Sequence, residues 1–224
     1  ASLGGVGGYL ATDFGWRYGF KLFGVFGIVY SLVMLLFLRD APDGPLSPEP
    51  ADSKGRPRGN AWAALFSRNG FWILLGINVL VGVVNWMVYG WLPTYLKEHF
   101  NLGLGAAGLS ATAYIQVASF AGVLVGGAWA DRRSRAGRGR ALAPAIGYCI
   151  AGPCLYLASS TDWLPLAIAG LIVFGLGRGS YDSNQMPILR DLIDERYSAM
   201  GYGFLNCAGT IAGGAMIYLG GASK

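Results

Sequence analysis

Long apolar runs separated by short polar breaks set the pattern of this chain. The runs fall at about 18–38, 71–96, 107–130, 142–158, 166–189 and 199–219. A helix crossing the hydrocarbon core of a bilayer needs ~20 apolar residues, with a range of about 17–25. Each run is therefore long enough to span. Residues 1–12 read as the tail of a further helix, with Gly4 and Gly8 at the spacing that lets two helices pack closely. The expected fold class is all-α and polytopic, a helical bundle of one helix tail and about six spans.

The stretch from Arg39 to Arg68 breaks the pattern. It mixes charges with Pro42, Pro45, Pro48, Pro50 and Pro57, and so reads as a linker with a short interfacial helix near Ala61–Phe66. Two membrane-embedded portions flank it. Pro93 is expected to kink or end its span, and Gly152-Pro153 to break the fourth.

Composition agrees with the pattern. The chain is 54% hydrophobic and 13% charged, against about 25% charged in an average soluble domain. Its mean hydropathy is +0.44. The net charge of +5 matters less than its placement. Alternate loops (39–68, 131–140 and 190–196) hold twelve basic residues, and the opposite loops hold three. By the positive-inside rule the linker and the Arg-rich loop face the cytoplasm. Basic residues are not interleaved with aromatics on a polar face, so nucleic acid is not an expected partner. The expected partners are the lipid bilayer and a small molecule.

Cys149, Cys154 and Cys207 lie in apolar runs and match no zinc or redox spacing. They read as packing residues, and no metal or cofactor is expected. The single His99, placed in an outer loop, has no Cys or His near it, so enzyme chemistry is not expected either. The chain opens Ala1-Ser2-Leu3 without an initiator Met or a basic leader. It reads as a fragment starting inside a membrane helix.

Candidate chemistry concentrates in the fifth run. Arg178, Tyr181, Asp182 and Gln185 fall at i, i+3, i+4 and i+7 and share one helix face. A charged side chain in hydrocarbon costs roughly 2.5–3.5 kcal/mol on insertion scales, and such residues usually face a bundle interior or a wet cavity. Two readings stand. Arg178 and Asp182 form an ion pair that only locks structure, or Arg178 meets an anionic substrate group while Asp182 pairs with it or carries a coupling proton. Asn184 either joins the site or repairs the helix at Pro187. Asn78, Asn85 and Tyr89 form a stripe in the second run, bordered by Trp86, that lines a cavity or joins helices by hydrogen bonds. Tyr114 and Gln116 project nearly opposite ways, and Tyr114 is the one taken to face a cavity. Asn206 and Thr210 read as packing contacts.

Gly127-Ala-Trp-Ala-Asp131-Arg132-Arg133-Ser134-Arg135 is the most specific motif. Asp131, at a helix end among arginines, can latch a gate or simply anchor a loop. The spacing resembles the loop signature of the major facilitator superfamily, Gly-x-x-x-Asp-Arg/Lys-x-Gly-Arg. Gly127, Asp131, Arg132 and Arg135 match, and Ser134 stands where the family has Gly. Gly15-Trp16-Arg17, Trp91-Leu92-Pro93-Thr94-Tyr95-Leu96, Tyr181-Asp182-x-Asn184-x-x-Pro187 and Gly201-Tyr202-Gly203-x-x-Asn206 extend the likeness over nearly the whole chain. The last two resemble the anion:cation symporter and spinster-like branches.

The resemblance implies a chain running from the tail of helix five to helix eleven of that fold. Residues 1–38 would close the amino-terminal half, 39–69 form the cytoplasmic central linker, and 70–224 form the carboxy-terminal half. The first four helices and the twelfth, missing from the chain, would be partners. It also implies a secondary transporter of the plasma (inner) membrane, working by alternating access. The substrate would be a small organic anion or sugar acid, coupled to H+ or Na+. A lipid exporter and a non-transporting receptor are the alternatives.

Overall fold

The computed structural model describes residues 15–38, 61–101, 104–137 and 139–222. Among them the chain forms seven helices: α1 (Trp16–Phe37), α2 (Ala61–Phe66), α3 (Asn69–Phe100), α4 (Leu104–Arg135), α5 (Leu142–Ser160), α6 (Leu164–Leu192) and α7 (Glu195–Ala222). All but α2 are long and apolar enough to cross a membrane. The architecture is the all-α polytopic bundle that the runs predict.

The helices outrun the apolar segments that seed them. The 32 residues of α3 reach roughly 48 Å at 1.5 Å per residue. That exceeds a hydrocarbon core of about 30 Å, so its ends lie at headgroup depth. Pro93 and Pro153 both lie inside continuous helices, so Pro93 does not end α3 and, contrary to expectation, Pro153 does not break α5. Each proline removes one backbone donor, and the neighbouring turns of a membrane bundle tolerate that loss. His99 also moves. It sits in the last turn of α3, not in a loop, and α3 then closes on Asn101 with φ 51°. Asn enters that left-handed cap conformation more readily than most residues.

Two close-packed groups make up the bundle. In one, α6 is the most buried span and lies against both α4 and α5. The approach is tight: a Cβ on Gly175 of α6 would stand 2.6 Å from the Ile115 carbonyl oxygen of α4. In the other, α3 pairs with α7, and a Cβ on Gly82 would meet the Gly209 carbonyl at 2.6 Å. Small residues at such crossings let backbones touch, the usual source of helix association in lipid. Among the described residues no other helix packs on α1, whose apolar side chains stand exposed.

Each end of the bundle is pinned. At one end the expected short helix, α2, buries Leu65 against Phe71, Leu74, Leu189, Ile193 and Leu205. Phe66 meets Phe71 and Phe204 edge-on at 5.6 and 5.3 Å. At the other end His99 Nε2 pairs with Asp162 at 2.9 Å. The Tyr95 ring stacks on His99, and its hydroxyl donates to the Ser159 carbonyl at 3.1 Å.

Candidate functional site

A half-enclosed cavity of about 500 Å³ lies between α3, α6 and α7. Its wall carries Asn78, Asn85, Trp86 and Tyr89 from α3. From α6 come Arg178, Tyr181, Asp182 and Gln185, and from α7 come Asn206 and Thr210. Helical spacing explains the gathering. Residues at i, i+3, i+4 and i+7 stack on one face of α6, and the Asn78–Asn85–Tyr89 stripe of α3 runs opposite them. Arg178 is the central residue of α6, which puts it near mid-depth.

The wall is organised around two polar knots. At one, Arg178 Nη1 donates to the Tyr89 hydroxyl and, at 3.0 Å, to Gln116 Oε1. Tyr89 itself donates to the same Gln116 oxygen at 3.0 Å. The guanidinium carbon lies 5.0 Å from the centre of the Tyr89 ring, within cation–π range. On its other side Arg178 Nε is 3.5 Å from the Asp182 carboxylate. At the second knot Asn78 Oδ1 accepts from the Tyr181 hydroxyl at 3.1 Å and from Gln185 Nε2 at 2.6 Å. The Asn78 amide donates across to the Leu205 carbonyl of α7. Tyr181 also packs edge-on against Tyr148 of α5, ring centres 5.6 Å apart.

The charges on this wall are one guanidinium and one carboxylate, and the rest is neutral: amides, hydroxyls, aromatic rings, Val81, Gly82 and Gly209. Such a lining can hold an anionic group at Arg178 and hydroxyls at the amides. The guanidinium is not sealed in a dry helix contact, since it opens on the cavity.

Two expectations need correcting here. Tyr114 does not line the cavity: it is 41% exposed, whereas Gln116 is the residue of α4 bonded to Arg178. Asn206 and Thr210 are not packing contacts alone, because both belong to the wall. Asn184 resolves to neither of its readings. It is buried, facing α4, and its amide donates to the Ser180 carbonyl at 2.7 Å and reaches the Gly126 carbonyl at 3.5 Å. The carbonyl that Pro187 leaves without a donor is that of Ser183, which this amide does not serve.

The Arg-rich motif also takes a different shape. Asp131 lies one turn before the end of α4, and its partner at 2.8 Å is Arg140, an arginine of the loop that follows. The helix runs through Ser134 to Arg135, and the turn falls at Gly137 with φ 71°. Glycine is therefore present where the chain needs positive φ, three residues later than in the family motif. Arg133 lies 5.9 Å from the Trp129 ring.

Comparison with known proteins decides the family. Residues 1–217 match the Major Facilitator Superfamily model. The chain belongs to the major facilitator superfamily. As a superfamily member it is a multi-pass membrane protein of a family of transporters, not enzymes. It is 28% identical over 160 residues to the probable sulfoacetate transporter of Cupriavidus necator, covering 66% of this chain and 36% of that one. It is 26% identical over 219 residues to the chloroplastic ascorbate transporter of Arabidopsis thaliana, covering 91% and 40%. The chain thus spans well under half the length of these relatives. A crystal structure of a bacterial homologue of the human lysosomal transporter Spinster, inward-facing and unoccupied, superposes with a TM-score of 0.68 at 21% identity. That match covers 94% of this chain and 46% of the other, and it shows the fold.

Proposed function

We propose that the full-length protein is a secondary active transporter of the inner membrane. It moves a small organic anion or sugar acid by alternating access, with H+ or Na+ as the coupled ion. The observation that carries this reading is a guanidinium at mid-depth on the wall of a cavity that also presents amides and hydroxyls among its apolar lining. The names of the two curated relatives, carriers of sulfoacetate and of ascorbate, support an anionic cargo.

In this reading residues 1–38 close one helical half, 39–69 form the cytoplasmic linker and 70–224 form the second half. Substrate sits between the halves, as in transporters built from two repeats. Arg178 meets the anion and Asp182 holds the coupling ion. Asn78, Asn85, Tyr89, Tyr181 and Gln185 hydrogen-bond the rest of the substrate. Asp131, with Arg132 and Arg135 beside it, latches the cytoplasmic side through Arg140. A lipid cargo is less favoured, because an acyl chain offers nothing to the guanidinium of Arg178 and the carboxylate of Asp182 that open on the cavity.

Counterflow in liposomes containing the full-length protein tests the proposal. Labelled sulfoacetate or ascorbate should exchange against internal unlabelled anion, and a lysolipid should not compete. Binding without exchange would mean a receptor, and competition by lysolipid alone would mean a lipid exporter. Either result overturns the reading.

A further inference from the structure

Gln116 stands behind the cavity wall, on α4, and is no part of its lining. Its amide oxygen nevertheless accepts from both Arg178 Nη1 and the Tyr89 hydroxyl, each at 3.0 Å. An amide oxygen has two lone pairs, and here both are used. A guanidinium on a long flexible stem, with Asp182 one turn away, would otherwise be free to turn toward that carboxylate. Instead its Nη1 is tied to α3 and α4 together, and its face rests on the Tyr89 ring. The contact to Asp182 is held to a single long approach of 3.5 Å at Nε.

The chemistry of the tether matters as much as its position. A carboxylate at residue 116 would hold the guanidinium equally well but would cancel its charge. An amide fixes the group and leaves its positive charge for the cavity. We propose that Gln116 is the positioning residue that presents the Arg178 guanidinium to the cavity, and that its neutrality keeps the cavity selective for anions. The second half of this proposal rests on the reading of the cavity as a substrate site, and the first half does not.

Gln116→Leu and Gln116→Glu in the full-length protein test it with two readouts. The first needs no substrate: peptide-resolved labelling of Arg178 by phenylglyoxal, with Arg190 as internal reference. Gln116→Leu should slow labelling of Arg178 several-fold, because the freed guanidinium turns from the cavity toward Asp182, and leave Arg190 unchanged. Equal labelling of Arg178 in wild type and Gln116→Leu would overturn the positioning role. The second readout is sulfoacetate binding by tryptophan quenching, with uptake kinetics.

Both variants should weaken Kd and raise KM about tenfold, the order expected for one charge-assisted contact, with kcat little changed. A general packing defect would instead lower kcat and protein yield. Should Gln116→Leu fail to fold, the isosteric Gln116→Glu carries the test, and an unchanged anion Kd in that variant overturns the selectivity role. Slower labelling in Gln116→Leu, combined with wild-type protein that neither binds nor carries sulfoacetate or ascorbate, would leave the positioning role standing and remove the transport reading.

Discussion

Removing the Arg178 charge separates the two readings of the Arg178–Asp182 pair. In Arg178→Ala the carboxylate of Asp182 loses its cation, 3.5 Å away, and Tyr89 and Gln116 lose a shared donor. An uncompensated charge near mid-depth costs roughly 2.5–3.5 kcal/mol on insertion scales, enough to lower thermal stability visibly. A substrate anion would also lose a charge-assisted contact worth about 1.5–3 kcal/mol, or roughly 10- to 150-fold in kcat/KM at 1.4 kcal/mol per decade. The double variant Arg178→Ala with Asp182→Asn removes both charges. It should recover melting temperature, because nothing charged is left unpaired, yet remain as poor in uptake as the single variant. Arg178→Lys should fall between wild type and Ala, because an ammonium keeps the charge but lacks the flat face over the Tyr89 ring and a second nitrogen to approach Asp182. The assay is uptake of labelled sulfoacetate into liposomes beside a detergent melting curve. Wild-type uptake by the double variant would refute the reasoning and reduce the pair to a structural lock.

Three further outcomes follow from the packing. Gly82→Leu should abolish a monodisperse peak in size exclusion, because any Cβ there meets the Gly209 backbone at 2.6 Å and drives α3 off α7. Leu65→Ala, at a fully buried position beneath the aromatic cluster, should cost about 2–5 kcal/mol of stability, read as a lowered melting temperature with uptake per folded molecule preserved. Asp131→Asn breaks the 2.8 Å pair with Arg140. Because the Asp131 side chain is about half exposed, stability should change by no more than about 1 kcal/mol, whereas uptake should lose rate at unchanged KM if the pair latches a gate.

Much of this architecture is readable in one dimension because the bilayer imposes it. Every backbone group in hydrocarbon must be satisfied within its own helix, so apolar length alone locates the spans, and the stripe on α6 locates the cavity face. Interhelical geometry is what the pattern lacks. Tyr114 and Gln116 illustrate the limit. Ile115, Ala118, Ser119, Gly122 and Gly126 form the stripe of α4 turned to α6, and the two residues flank it by about 100° on opposite sides. Which one meets Arg178 depends on the side of α4 along which α3 runs, and no periodicity within α4 contains that. Asp131 and Arg140 pose the same difficulty, since their pairing requires the helix to continue through Ser134 and turn at Gly137. Pro153 misleads for another reason: one absent donor is a local loss, and the surrounding turns of a packed helix outweigh it.

The position of the cavity follows from how the two groups of helices are joined. Within each group backbones touch through glycine, and such contacts cannot be exchanged for a ligand. Between α3 and α6, by contrast, the junction at the site is made by side-chain hydrogen bonds, Asn78 with Tyr181 and Gln185, and Tyr89 with Arg178. Those bonds are already satisfied by one another in a medium where an unpaired polar group is costly. A ligand that enters must therefore replace each bond it breaks. A molecule lacking the matching oxygens leaves buried donors unpaired and is rejected far more strongly than its lost contacts alone would suggest. Deoxy or uncharged analogues should accordingly fail by larger factors than analogues that only lengthen the carbon chain.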